Sequence, residues 1–154
     1  MAAKDGAAAE AGEREIVITR VFDAPRELVF QMWTDPEHVA KWWGPKGFTS
    51  TIYEMDVKEG GVWRFVMHGP DGTDYKNLVI YDEIVKPERL VYSHVSGPRF
   101  QMTLTFAERG GKTELTARMI FESAAERARV IKEFGALEGL SQTIGRLAEY
   151  LMEM

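Results

Sequence analysis

The sequence predicts an α+β protein in which a curved antiparallel β-sheet wraps around a long C-terminal helix, with two short helices after the first strand. Three observations carry this. From Phe48 to Phe121 the chain has no helical period, only short alternating segments divided by Gly and Pro turns, as in an antiparallel meander. From Ala124 to Met154 good helix formers dominate, with Val130, Phe134, Leu137, Leu140, Ile144, Leu147 and Leu151 spaced by threes and fours along one stripe. Between the first strand and the meander, Asp23-Ala24-Pro25 and Asp35-Pro36 are both helix-start signals.

Residues 1–14 are rich in Ala and Gly, lack an apolar signal-peptide core, and read as a disordered tail before one domain over 15–154. Glu15–Phe22 is β-branched and partly alternating, hence a strand. Pro25 at a first-turn position opens a helix to about Thr34; Asp35 then caps a second, with Pro36 in its first turn. Gly44-Pro45 ends it. Strands follow over Phe48–Val57, Val62–His68, Tyr75–Val85, Arg89–Val95, Phe100–Glu108 and Thr113–Phe121. Gly69-Pro70-Asp71-Gly72 and Gly110-Gly111-Lys112 make hairpin loops between them. Alternation puts Leu90, Tyr92 and His94 on an inner face, with Met102, Leu104 and Phe106, and with Leu115, Ala117, Met119 and Phe121. Tyr75, Asn77, Val79 and Tyr81 join them less clearly, because Leu78 and Ile80 make their strand apolar on both faces. In the last segment Gly135, Gly139 and Gly145 imply either a break near Phe134-Gly135 or close backbone approach.

Composition narrows the function classes. A chain of 154 residues is 45% apolar and 28% charged, as ordinary globular proteins are. A net charge of −5 argues against a nucleic-acid partner, which needs clustered Lys and Arg. Without cysteine there is no disulfide scaffold, thiol catalysis or thiolate zinc site, and the chain suits a reducing cytoplasm. No apolar run approaches a membrane span of roughly 18 residues, so membrane insertion is not expected. His38, His68 and His94 have no metal-ligand spacing, no serine sits in a Gly-x-Ser-x-Gly elbow, and the glycine pairs are hairpin turns rather than dinucleotide loops. No cofactor or metal is expected.

What stands out is Trp33, Trp42 and Trp43 within eleven residues. Indole rings need apolar surroundings and a partner for each N–H, so such a cluster marks either a core wall or a cavity rim. Trp33 shares a helix face with Val29 and reads as core. Trp42 and Trp43 are adjacent and cannot share a face; the pair fits a cavity rim, with one residue lining or lidding the opening, and plain packing equally. Trp63, alternating with Phe65 and Met67, fits core and cavity wall equally. His94, buried beside Leu90 and Tyr92, must find hydrogen-bond partners, either a core tyrosine or a ligand. Tyr75, Tyr81, Asn77 and Gln142 are further isolated polar anchors, and Glu138 grazes the inner helix face.

The motifs Asp23-Ala24-Pro25-Arg26-Glu27-Leu28-Val29-Phe30, Trp33-Thr34-Asp35-Pro36 and Trp42-Trp43-Gly44-Pro45 resemble the activator of heat-shock-protein-90 ATPase homologue family. Gly60-Gly61-Val62-Trp63-Arg64-Phe65, Pro87-Glu88-Arg89-Leu90-Val91 and Arg146-Leu147-Ala148-Glu149-Tyr150-Leu151 extend the resemblance over about residues 15–152. That family belongs to the START-like, birch-pollen-allergen-like superfamily. The resemblance implies a helix-grip fold enclosing a cavity between sheet and long helix. Its members bind lipids, sterols or polyketides, act as cyclases, or assist a chaperone in stress, and fold does not choose among these.

The residues favour binding of a small hydrophobic or aromatic ligand in that cavity. Its expected walls are Trp42, Trp43, Trp63, Tyr75, Tyr81 and His94, with Phe100 and Met102 from the sheet and Leu137, Leu140 and Ser141 from the helix. A co-chaperone-like module, with a chaperone as partner, is the alternative that the resemblance implies. A cyclase or dehydratase would need a polar dyad, His94 with Tyr75 or Tyr81. Monomer and homodimer both remain open.

Overall fold

The computed structural model describes residues 13–154, so the expected tail lies outside the described residues up to residue 12. The elements run β1 (Glu15–Phe22), α1 (Arg26–Thr34), α2 (Pro36–Trp42), β2 (Thr49–Met55), β3 (Val62–His68), β4 (Asp74–Val85), β5 (Arg89–His94), β6 (Phe100–Arg109), β7 (Lys112–Ile120), α3 (Ala124–Phe134) and α4 (Ala136–Met152). The seven strands form one antiparallel sheet in the order β1-β7-β6-β5-β4-β3-β2. Register shifts at Ile52/Glu54 and Tyr81/Glu83 add bulges, which bend the strands that carry them.

Alternation decides which face is buried. Leu90 pairs with Leu104, Leu104 with Ala117 and Phe106 with Leu115, a continuous inner row of buried side chains. The partner row Trp63–Val79–His94–Phe100 lies on the same face, and Tyr75, Asn77, Val79 and Tyr81 do belong to it. One end of this face is closed by α1 and α2. Phe30 meets Phe106 edge-on at 5.3 Å, and Trp33 meets Trp42 at 4.7 Å. Asp35 caps α2 by accepting from the Glu37 N–H at 3.0 Å, with Pro36 in the first turn. At the start of α1, by contrast, Pro25 itself holds the cap position and no side chain caps it.

The break near Gly135 is real. Gly135 ends α3 with φ +61°, a left-handed conformation that glycine adopts without steric cost. Neither Gly139 nor Gly145 is in a tight approach: a β-carbon would lie 3.7 Å from Pro45 and 3.8 Å from Arg20, ordinary contact distances. Three expectations need correction. Phe134, placed on the inner stripe, is 55% exposed at the end of α3. Phe48 precedes β2 rather than opening it. Leu137 is 47% exposed, off the inner stripe, because Leu140, Ile144 and Leu147 set the buried phase of α4.

Candidate functional site

A cavity of about 360 Å³ lies between the inner sheet face and the α3–α4 junction, at the end opposite the α1–α2 cover. Its floor is a patch of neighbouring register positions: Phe65 and Met67 of β3, Asn77 and Tyr75 of β4, Tyr92 and His94 of β5, then Phe100, Met102 and Met119. Its roof is α4 through Ala136, Gly139, Leu140 and Thr143, with Val130 and Phe134 from α3. The roof explains why space remains. Three of the four α4 residues here are small, whereas one turn further on Ile144 and Leu147 are large and fully packed.

The side wall is Trp43-Gly44-Pro45 and Phe48, in the loop between α2 and β2. Arg146 of α4 holds that loop. Its Nη1 donates toward the carbonyls of Gly44 at 2.9 Å, Pro45 at 3.0 Å, Phe48 at 3.0 Å and Trp43 at 3.4 Å. Partial burial pulls the guanidinium below the usual arginine range, and arginine stays charged all the same. Gly44 fits this turn because its φ is +106° and a β-carbon would press on Phe48 at 3.2 Å.

Of the expected wall residues, the structure brings Trp43, Tyr75, His94, Phe100, Met102 and Leu140 around the cavity. Trp42 turns inward, 1% exposed, and its indole donates to the Met32 carbonyl at 3.1 Å. Trp63 and Tyr81 point to the same sheet face, yet they lie deeper, stacked with 6° between their planes and each 1% exposed. Leu137 and Ser141 face outward on α4. Glu138 is exposed and pairs with Gln142 at 3.2 Å; Glu133, at the rim, is the charged residue among those lining the cavity.

No core tyrosine bonds His94. Nδ1 lies 2.7 Å from the Pro98 carbonyl and Nε2 lies 2.6 Å from the Asn77 side-chain oxygen, so the ring does not form a dyad with Tyr75 or Tyr81. The imidazole stacks on Phe100 at 4.7 Å with 10° between planes. Burial pushes its pKa down, against a smaller upward pull from the Pro98 carbonyl. The other histidines sit elsewhere: His38 bonds the Tyr150 hydroxyl at 2.8 Å, and His68 lies between Thr51 and Asp74. Among the described residues no three His, Cys, Asp or Glu side chains gather as a metal site. No helix among them is long and apolar enough to cross a membrane.

Sequence reasoning missed several lining residues, Phe65, Met67, Met119 and Thr143 among them, and two that shape the site most. Tyr92 was visible only as an inner-face residue, and its placement at the cavity follows from its pairing with Met102. Arg146 stood out only as part of the family-like run Arg146–Leu151, and its residue type gave no sign of a loop contact, since a cation on a helix usually faces water.

A solution structure from Arthrobacter aurescens superposes with a TM-score of 0.87, at 24% identity over 93% of this chain and 88% of its own. A crystal structure from Mycobacterium smegmatis reaches 0.83 at 26% identity, covering 94% of each chain. An AHSA1 protein from Silicibacter pomeroyi reaches 0.71 at 19% identity, covering 90% of this chain and 97% of that one. These likenesses carry the helix-grip fold. A comparison with curated proteins gave no match. Residues 23–152 match the family described as Activator of Hsp90 ATPase homolog 1-like protein, and the chain belongs to that family.

Proposed function

We propose that this protein binds a small hydrophobic or aromatic molecule in the cavity under α4. Family membership supports a ligand-binding or co-chaperone-type domain in general terms. The observation that favours the ligand is the cavity: about 360 Å³, walled by Trp43, Phe65, Tyr92, Phe100, Met102 and Leu140. That volume falls in the range of roughly 300–1,000 Å³ typical of small-molecule sites. Apolar area withdrawn from water supplies affinity, at about 25 cal/mol per Å². With no cysteine in 154 residues, a reducing cytoplasm is the compartment we assign.

Native mass spectrometry of the protein purified from its own host tests this. A retained molecule of a few hundred daltons, released on unfolding, supports the proposal. A bare chain that also binds no neutral hydrophobic dye while folded overturns it and leaves the co-chaperone reading.

A further inference from the structure

Several polar side chains of the cavity have made their bonds; the side-chain donors left without a protein partner among the described residues are the hydroxyls of Tyr92 and Tyr75 and the Trp43 indole N–H. His94 and Asn77 bond each other, Pro98 and Tyr75, and the Thr143 hydroxyl donates to Gly139 at 2.8 Å. Tyr92 is different. It lines the cavity, is 2% exposed, and its hydroxyl has no hydrogen-bond partner among the described residues. The hydroxyl of Tyr81 also lacks a partner, but it is sealed in the core where no ligand reaches it. The Tyr92 hydroxyl is not sealed off in that way, so it is free to donate when a ligand in the cavity supplies an acceptor.

Charge narrows the ligand further. Among the described residues no Lys or Arg lines the cavity, so a buried carboxylate or sulfonate would lie uncompensated. Glu133 at the rim is exposed and already paired with Arg129 at 3.1 Å, so it is a weak anchor for a cation. Burial also drives the Tyr92 phenol well above its ordinary value, so it stays a neutral donor.

Resting on the ligand-binding reading above, we infer that the ligand is an uncharged, largely aromatic molecule carrying a carbonyl-type acceptor, and that Tyr92 is the residue that recognises it by donating to that acceptor. The ring is already fixed for this task. It meets Trp63 at 5.8 Å and Tyr81 at 6.4 Å, both edge-on, so little side-chain freedom remains to be lost on binding.

Three naphthalene dyes test the inference: Prodan (neutral, with a ketone), N-phenyl-1-naphthylamine (neutral, without a carbonyl) and 8-anilinonaphthalene-1-sulfonate (anionic). The wild type should bind both neutral dyes and bind the sulfonate about tenfold more weakly or worse. Tyr92→Phe should weaken Prodan about threefold to tenfold, well beyond its effect on N-phenyl-1-naphthylamine. Equal losses for the two neutral dyes, or a sulfonate that binds as tightly as Prodan, overturn the inference while leaving cavity binding intact. Binding of none of the three removes the ligand-binding reading itself. Should Tyr92→Phe fail to fold, the emission of Prodan on the wild type decides. Emission red-shifted from that in an aprotic solvent reports a hydrogen-bonded ketone, and aprotic-like emission contradicts one.

Discussion

Nε2 of His94 lies 2.6 Å from the side-chain oxygen of Asn77, while Nδ1 of the same ring lies 2.7 Å from the Pro98 carbonyl. Both neighbours accept, so this arrangement suits an imidazolium. Burial among Phe100 and other apolar neighbours pulls the other way, toward a neutral ring. A neutral ring that keeps Nδ1–H on Pro98 needs the Asn77 amide turned over, which gives up its 2.8 Å bond to the Tyr75 carbonyl. His94 is thus a hub joining β4, β5 and the loop before β6.

Removing the hub should therefore destabilise the fold. His94→Phe strands the Pro98 carbonyl and the Asn77 amide, and should cost about 1–3 kcal/mol in chemical denaturation. A variant as stable as the wild type would show that these bonds contribute nothing.

The same site sets a pH dependence. Because the folded pKa of His94 is depressed, the unfolded chain binds the proton more readily over the interval between the two values. Stability attributed to His94 is complete above the unfolded value, about pH 6.5, and is lost as pH falls toward the depressed folded value. Melting temperature should drop across that interval, and drop less in His94→Gln. A rise on acidification that disappears in the variant would mean that the imidazolium is the resident form.

Arg146 should matter out of proportion to its exposure. Arg146→Met removes a charged donor from the carbonyls of Gly44, Pro45 and Phe48, at about 1.5–3 kcal/mol for bonds to a charged group. It also loosens the Trp43 wall, so dye affinity should fall together with stability. Arg146→Lys should recover only part of both. Unchanged dye affinity in Arg146→Met would separate the loop from the site.

Gly145→Ala runs in the opposite direction. The nearest atom to a new β-carbon is 3.8 Å away, so alanine fits, and the gain in helix propensity should stabilise the protein by about 0.5–1 kcal/mol. Gly135→Ala, at φ +61°, should instead cost about 1–2 kcal/mol. Melting both variants checks the pair; a destabilised Gly145→Ala would reveal packing tighter than these distances imply.

Much of the fold was legible because its signals are local. Alternation placed Leu90, Met102 and Leu115 on the inner face, and Gly135 announced the helix break. The site was legible only in part, for a geometric reason. Period-two alternation tells which face a side chain takes but not how far along the sheet the cavity extends. Tyr75 and Tyr81 share a face of β4, yet one stands at the cavity and the other beneath the core aromatics. Likewise Trp42 and Trp43 divide between core and cavity through one helical step, with the Met32 carbonyl fixing which goes inward. Leu137 misled because hydrophobicity alone does not set the rotation of α4.

The central claim, that a small hydrophobic molecule occupies the space under α4, is tested most directly by NMR titration with N-phenyl-1-naphthylamine. Saturable shifts should gather on the Trp43 indole and the methyls of Met102, Met119 and Leu140, with contacts from the dye to the same groups. Val17 and Val21, exposed on the strand at the sheet edge, should not move. Shifts confined to that outer surface, or no saturable shifts on a folded protein, would contradict the account.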